Sequence, residues 1–113
     1  MKKPPRSDAS LLDDMIRFCE MIIRYTSAKT LEDFVKEDMC HMAVLHTFAL
    51  LGEASTKISK EIKEKNPQIA WREMSDFRNV IIHWYHGVDL SIPWNTAKDA
   101  IPSLQENLKN IHS

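Results

Sequence analysis

Residues Asp38 to Lys65 read DMCHMAVLHTFALLGEASTKISKEIKEK, a stretch without a proline. Met42, Leu45, Phe48, Gly52, Ser55, Ile58 and Ile62 recur along it at three- and four-residue spacing, so one face persists from end to end. The spacing predicts a single helix about 40 Å long at the standard rise, enough for a full bundle arm. Asn66-Pro67 stops it, because the residue before a proline is pushed out of helical geometry. Upstream, Ser7 and Asp8 suit an N-cap. Leu12, Met15, Cys19, Ile22 and Thr26 then carry a second apolar stripe, predicting a helix to about Ala28. Leu11, Ile16, Phe18 and Ile23 widen that stripe enough for two neighbours. Thr30 and Asp33 stand at capping-box spacing before a short turn, although aspartate is shorter than the usual glutamate and leaves the reciprocal bond open.

Downstream, a third long helix is expected from Trp71 to Tyr85, with His86-Gly87 as its stop. Asp89 or Ser91 begins the last segment, where Pro93 is tolerated in the first turn and Pro102 kinks or splits the chain before Leu104, Leu108 and Ile111. Strand-type alternation is missing almost everywhere, and the 113 residues hold two glycines. One all-α domain follows, an antiparallel bundle of four to five helices across residues 1–113.

Composition narrows the function classes. Hydrophobic residues at 43% and charged residues at 27% are ordinary for a soluble protein. Cys19 and Cys40 make no disulfide framework and suit a reducing cytosol. Cys40, His41 and His46 are too few and wrongly spaced for a tetrahedral shell, so neither a metal nor another cofactor is expected. Met1 to Ser7 is basic but leads into no apolar stretch, and no run approaches the length of a membrane span; a cytoplasmic protein is expected. A net charge of −1 argues against coating nucleic acid with a broadly basic surface. Lys57, Lys60, Lys63, Lys65 and Arg72 do gather around one turn, diluted by Glu61 and Glu64. A solvated helix end and an RNA-contacting patch both fit them.

At about 100° per residue, the helix from Met74 to His86 has two sides. Met74, Phe77, Val80, Ile81 and Trp84 fall on one arc, suited to the core. Arg78, Asn79, His83, Tyr85 and His86 share the other with Ile82. These groups suit RNA phosphodiester cleavage without a metal. The 2′-hydroxyl needs a base and the leaving oxygen an acid, and histidine titrates near neutrality and can serve as either. A forked, permanently charged arginine stabilises the charge that builds on the phosphoryl oxygens. Asn79 could hold a ribose or phosphate oxygen, and Tyr85 could stack or hydrogen-bond. Geometry leaves a second reading open, a polar helix face that simply meets solvent or a partner.

Arg78-Asn79-Val80-Ile81-Ile82-His83-Trp84-Tyr85 resembles the signature of the HEPN superfamily, Arg and His four to six residues apart, in the HepT form that adds a Tyr two places after the His. Pro67, Trp71, Arg72, Glu73 and Met74 look like its lead-in. His86-Gly87-Val88-Asp89-Leu90 and Trp94 look like its exit, and Leu51-Gly52-Glu53-Ala54 is similar to a second block of the family. The resemblance implies an all-helical homodimer whose Arg and His meet across the subunit interface. It implies an RNA-cutting toxin of a type VII-like toxin–antitoxin pair, encoded beside a minimal nucleotidyltransferase of the MntA type. That partner would neutralise the toxin by AMP transfer to the motif tyrosine. On this resemblance Arg78 and His83 are catalytic, Asn79 and Glu53 supporting or RNA-binding, and Tyr85 the AMPylation site. The alternative is a catalytically silent HEPN module that binds nucleotide or pairs with a nucleotidyltransferase.

The chain departs from the family ahead of Gly52, where His46, Thr47 and Ala49 replace an Arg-Asn pair and a later acidic residue. His86 is extra, either a second imidazole or a turn residue. Gly52 reads as a close approach of two helices. Glu53 reads either as a surface carboxylate or as a partner that fixes Arg78. Trp71, Trp84 and Trp94 read as core or dimer anchors ahead of RNA-stacking platforms. Met15, Met21, Met39, Met42 and Met74 read as packing residues.

Overall fold

The computed structural model describes residues 6–85 and 89–111, and the side chains of residues 82–85 lie outside that description. Among the described residues the chain is helical, without strands: α1 (Asp8–Thr26), α2 (Leu31–Lys36), α3 (Asp38–Lys57), α4 (Lys60–Lys65), α5 (Trp71–Tyr85), α6 (Ser91–Asp99) and α7 (Ile101–Lys109). The bundle expected from the sequence is formed by α1, α3, α5 and the α6–α7 arm, with α2 and α4 as short connecting helices. α1 packs on both α3 and α7, and α3 in turn carries α5.

Local chemistry sets most boundaries. The Ser7 hydroxyl accepts from the Ser10 amide and starts α1. Leu11, Leu12, Met15, Cys19, Ile22 and Thr26 line its buried face. α1 ends two residues before the expected limit, and Ala28 then adopts a left-handed conformation (φ 58°) that cannot continue a right-handed helix. The capping box at α2 is complete: the Asp33 amide donates to Thr30 at 3.1 Å and the Thr30 amide to Asp33 at 3.0 Å. Aspartate therefore reaches after all. The bond from the Thr30 backbone N–H holds the Asp33 carboxyl below its ordinary range.

The single 40 Å helix is a correction. It is two helices, separated at Ile58 and Ser59, where Ile58 is extended (φ −66°, ψ 139°). Ser59 caps α4 by accepting from the Ile62 amide. The Asp8 carboxylate accepts from the Ser59 amide at 2.9 Å and from its hydroxyl at 2.6 Å. The first replaces the helical bond that the Ser59 amide loses at the break, and together they tie it to the start of α1. Ile58 and Ile62 stay buried on either side, so the apolar spacing runs through the break without marking it.

α3 buries a broad face comprising Val44, Leu45, Thr47, Phe48, Leu51, Gly52, Ala54 and Ser55, because it lies between α1 and α5. Met42, expected on that face, is instead half-exposed, and Met39 is 89% exposed. Both point away from the two neighbours. Met15 and Met74 do fill the core.

The α3–α5 seam closes at Gly52. A β-carbon there would stand 2.8 Å from the Met74 carbonyl oxygen and 3.4 Å from the Arg78 amide, so the close approach read from the sequence is present. Phe48 and Phe77 pack edge to face across the seam at 5.0 Å. The Ser75 hydroxyl donates to the Trp71 carbonyl, leaving Ser55 to donate to Ser75 at 2.9 Å. The last segment splits at Ala100, with Pro102 in the first turn of α7, where its missing N–H costs no helical bond. The expected stop at His86-Gly87 lies outside the described residues.

Candidate active site

α5 turns its described residues as the 100° spacing requires. Met74 and Ile81 are buried, Phe77 and Val80 half-buried, and Arg78 and Asn79 exposed. His83 and Tyr85 lie on the same helix, about 7.5 and 10.5 Å beyond Arg78 along its axis. Their side chains, with those of Trp84 and the expected extra imidazole of His86, are outside the described structure.

The close approach at Gly52 places the next residue of α3, Glu53, beside α5. Arg78 Nη1 donates to Glu53 Oε2, so the structure adopts the arginine-fixing alternative for Glu53. The other carboxylate oxygen, Oε1, lies 3.7 Å from Lys57 Nζ. Two cations from two helices thus share one carboxylate. More than half of each cationic side chain remains in solvent, 56% for Arg78 and 61% for Lys57, so donors are left for a further anion. Pairs this exposed add little to stability. Their consequence is orientation: the guanidinium is held on the outer side of the seam. In the sequence Lys57 belongs only to a diffuse basic patch. The signal available was its position four residues after Glu53, which puts both on one face.

Two other cations of that patch pair within α4, Lys60 with Glu64 at 3.7 Å and Lys65 with Glu61 at 2.9 Å. Of the three positions where the chain departs from the resemblance, Ala49 is half-buried and the other two diverge. Thr47 is buried and donates to the Ala43 carbonyl, whereas His46 is exposed on the outer face of α3. Cys40 Sγ donates to the Tyr25 carbonyl at 3.4 Å and His41 Nδ1 to the Phe34 carbonyl at 2.9 Å, so each answers a different backbone acceptor. Trp71 is buried with its indole N–H on the Asn66 carbonyl at 3.0 Å. Trp94 packs on Phe34 at 5.4 Å under the Lys98 ammonium. Both serve the core.

A cavity of about 320 Å³ lies elsewhere, in the seam between α5 and the α6–α7 arm. Ile69, Met74, Phe77, Ile101 and Leu104 floor it, and Glu73 is its one charged lining residue. An apolar slot carrying a carboxylate suits no phosphate. No helix among the described residues is long and apolar enough to cross a membrane.

Comparison with known proteins bears on the same residues. The family profile described as Ribonuclease HepT-like matches residues 15–111, which include Glu53, Arg78, His83 and Tyr85. A protein of Thermococcus cleftensis named as a probable ribonuclease HepT is 36% identical over 94% of this chain and 96% of its own. Other relatives carry the provisional name RNase, two of them as follows. The one from Methanocaldococcus jannaschii is 34% identical over 96% of this chain and 93% of its own. The one from Caldanaerobacter subterraneus subsp. tengcongensis is 33% identical over 88% and 89%. No solved structure gives a significant match. A profile match over nearly the whole chain, on a helical bundle that presents Arg78 outward, leads to one assignment: the chain belongs to the HepT-like ribonuclease family.

Proposed function

We propose that the protein is a metal-independent endoribonuclease whose catalytic pair is Arg78 and His83. The observation that carries this reading is the exposed Arg78 guanidinium, held by Glu53 on α5 five residues before His83. Arg78 stabilises the charge on the phosphoryl oxygens, and His83 transfers the proton of the 2′-hydroxyl or of the leaving oxygen. Glu53 positions the guanidinium, and Asn79, exposed beside Arg78, contacts ribose or phosphate. The names of the relatives support ribonuclease chemistry.

The biological setting we propose is a toxin, acting in the cytoplasm and paired with a minimal nucleotidyltransferase of the MntA type. AMP transfer to the Tyr85 hydroxyl would crowd the site and bring phosphodiester charge to Arg78, where substrate phosphate must bind. The active form is a homodimer. Each chain supplies one motif histidine, while cleavage calls for an acid and a base, and a two-fold axis brings two motifs together. An exposed apolar stripe on α3, Met39, Met42 and Leu50, runs up to Glu53 and gives such a dimer a face to bury.

The test is cleavage of single-stranded RNA by the purified chain in EDTA, with Arg78→Ala and His83→Ala beside it. Cleavage that survives chelation and is lost in both folded variants is expected. Cleavage that needs added magnesium, or that persists in either variant, refutes the assignment. RNA binding without cleavage by the unsubstituted chain would favour the silent-module alternative.

A further inference from the structure

Lys57 pairs one turn back on its own helix, with Glu53, and that carboxylate also holds Arg78 of α5. Lys60 and Lys65 are engaged by glutamates of α4, one turn away. Lys57 instead shares Glu53 with a guanidinium from another helix, and the two cations take opposite oxygens of that carboxylate. A carboxylate and a phosphodiester are both anions with two outward oxygens set at an angle, and both are bound by spanning those oxygens with separate donors. The two cations and one carboxylate together carry a net charge of +1, and each cation keeps unused donors in solvent.

We propose that Lys57 and Arg78 form one phosphate-binding clamp for single-stranded RNA, and that Glu53 occupies the clamp in the free protein. The inference rests on the ribonuclease reading and adds to it the second cation and the built-in occupant. As RNA binds, a non-bridging phosphate oxygen takes up the free Arg78 donors while the Lys57 ammonium swings from Glu53 Oε1 to the adjacent phosphate oxygen. Glu53 keeps its hydrogen bond to Nη1 and so continues to aim the guanidinium. Lys57 thus contributes binding and not chemistry. Its removal raises KM and leaves the maximal rate nearly unchanged, whereas loss of Arg78 removes the rate itself.

The experiment measures the affinity of a fluorescent single-stranded RNA oligonucleotide for the full chain across a salt series. Unsubstituted protein, Lys57→Gln, Lys57→Arg and Lys36→Gln are compared, and cleavage is followed in parallel. Lys36 pairs with Glu32 on α2, well away from α5 in the chain, and controls for loss of one positive charge. Lys57→Gln is expected to weaken binding about fivefold and to flatten the slope of log affinity against log salt by about 0.7, with Lys57→Arg restoring both. Binding by Lys57→Gln that matches Lys36→Gln in affinity and slope overturns the clamp while leaving the ribonuclease assignment standing. A drop in maximal rate with unchanged KM also overturns it. Failure of the unsubstituted protein both to bind and to cleave RNA removes the ribonuclease reading and the clamp with it.

Discussion

Gly52→Ala tests the seam on which Arg78 depends. An added β-carbon would sit 2.8 Å from the Met74 carbonyl oxygen, a backbone atom, and 3.4 Å from both the Arg78 amide and Phe77 Cβ. Ordinary contact requires α5 to retreat by about 0.5 Å. Three contacts along one turn mean that no single rotamer change relieves the strain. Alanine gains about 1 kcal/mol in helix propensity over glycine, while overpacking of this kind costs about 1–3 kcal/mol. A net loss of about 1 kcal/mol, read as a lower urea midpoint and a melting temperature lower by about 5 °C, is expected. Because the contacts converge on Arg78, the retreat also alters its approach to Glu53. RNA cleavage should fall by about tenfold or more, beyond what partial unfolding explains at a temperature where the variant is fully folded. A variant as stable as the parent with unchanged cleavage would refute the claim that this close approach sets the position of the site.

Asp8→Ala removes the acceptor of both Ser59 donors and should destabilise the fold by about 1–2 kcal/mol in urea denaturation, with an unaltered midpoint as the contrary result. Burial pushes the Cys19 thiol up to about 12, and burial also raises Cys40. The reactive Cys19 thiolate is therefore scarce at pH 8, and Cys19 should alkylate far more slowly in the native chain than in denaturant, with half-buried Cys40 slowed less. Fast native labelling of Cys19, followed by intact mass, would contradict its packing.

The sequence was most legible where a local rule acts alone. Ser7, the Thr30/Asp33 pair and Pro102 mark their boundaries because a cap or a missing N–H is a property of a few adjacent residues. The break at Ser59 was not legible, since the group that stabilises it, Asp8, lies 51 residues away and the apolar spacing continues regardless. Met39 and Met42 misled for a related reason. Periodicity identifies faces, but which faces find neighbours is decided by where α1 and α5 dock. In the site, Arg78 and Asn79 fall on the exposed arc that the 100° spacing gave them. The pairing of Arg78 with Glu53 needed knowledge of how α3 and α5 cross, and Gly52 was the one residue in the chain that hinted at the crossing point.

The crossing has a consequence for how the protein can change. α5 leans chiefly on α3, and on its other flank it faces the slot shared with the α6–α7 arm. A substitution in α7 has slack to be absorbed before it reaches Arg78, whereas one in α3 has none. α3 supplies Phe48 and Leu51 to the core, Gly52 to the seam and Glu53 to the arginine within six consecutive residues. Mutational tolerance should therefore be lopsided. Drift on the α7 side is cheap, while along α3 stability and substrate handling are inherited together, and a change that suits one must be acceptable to the other.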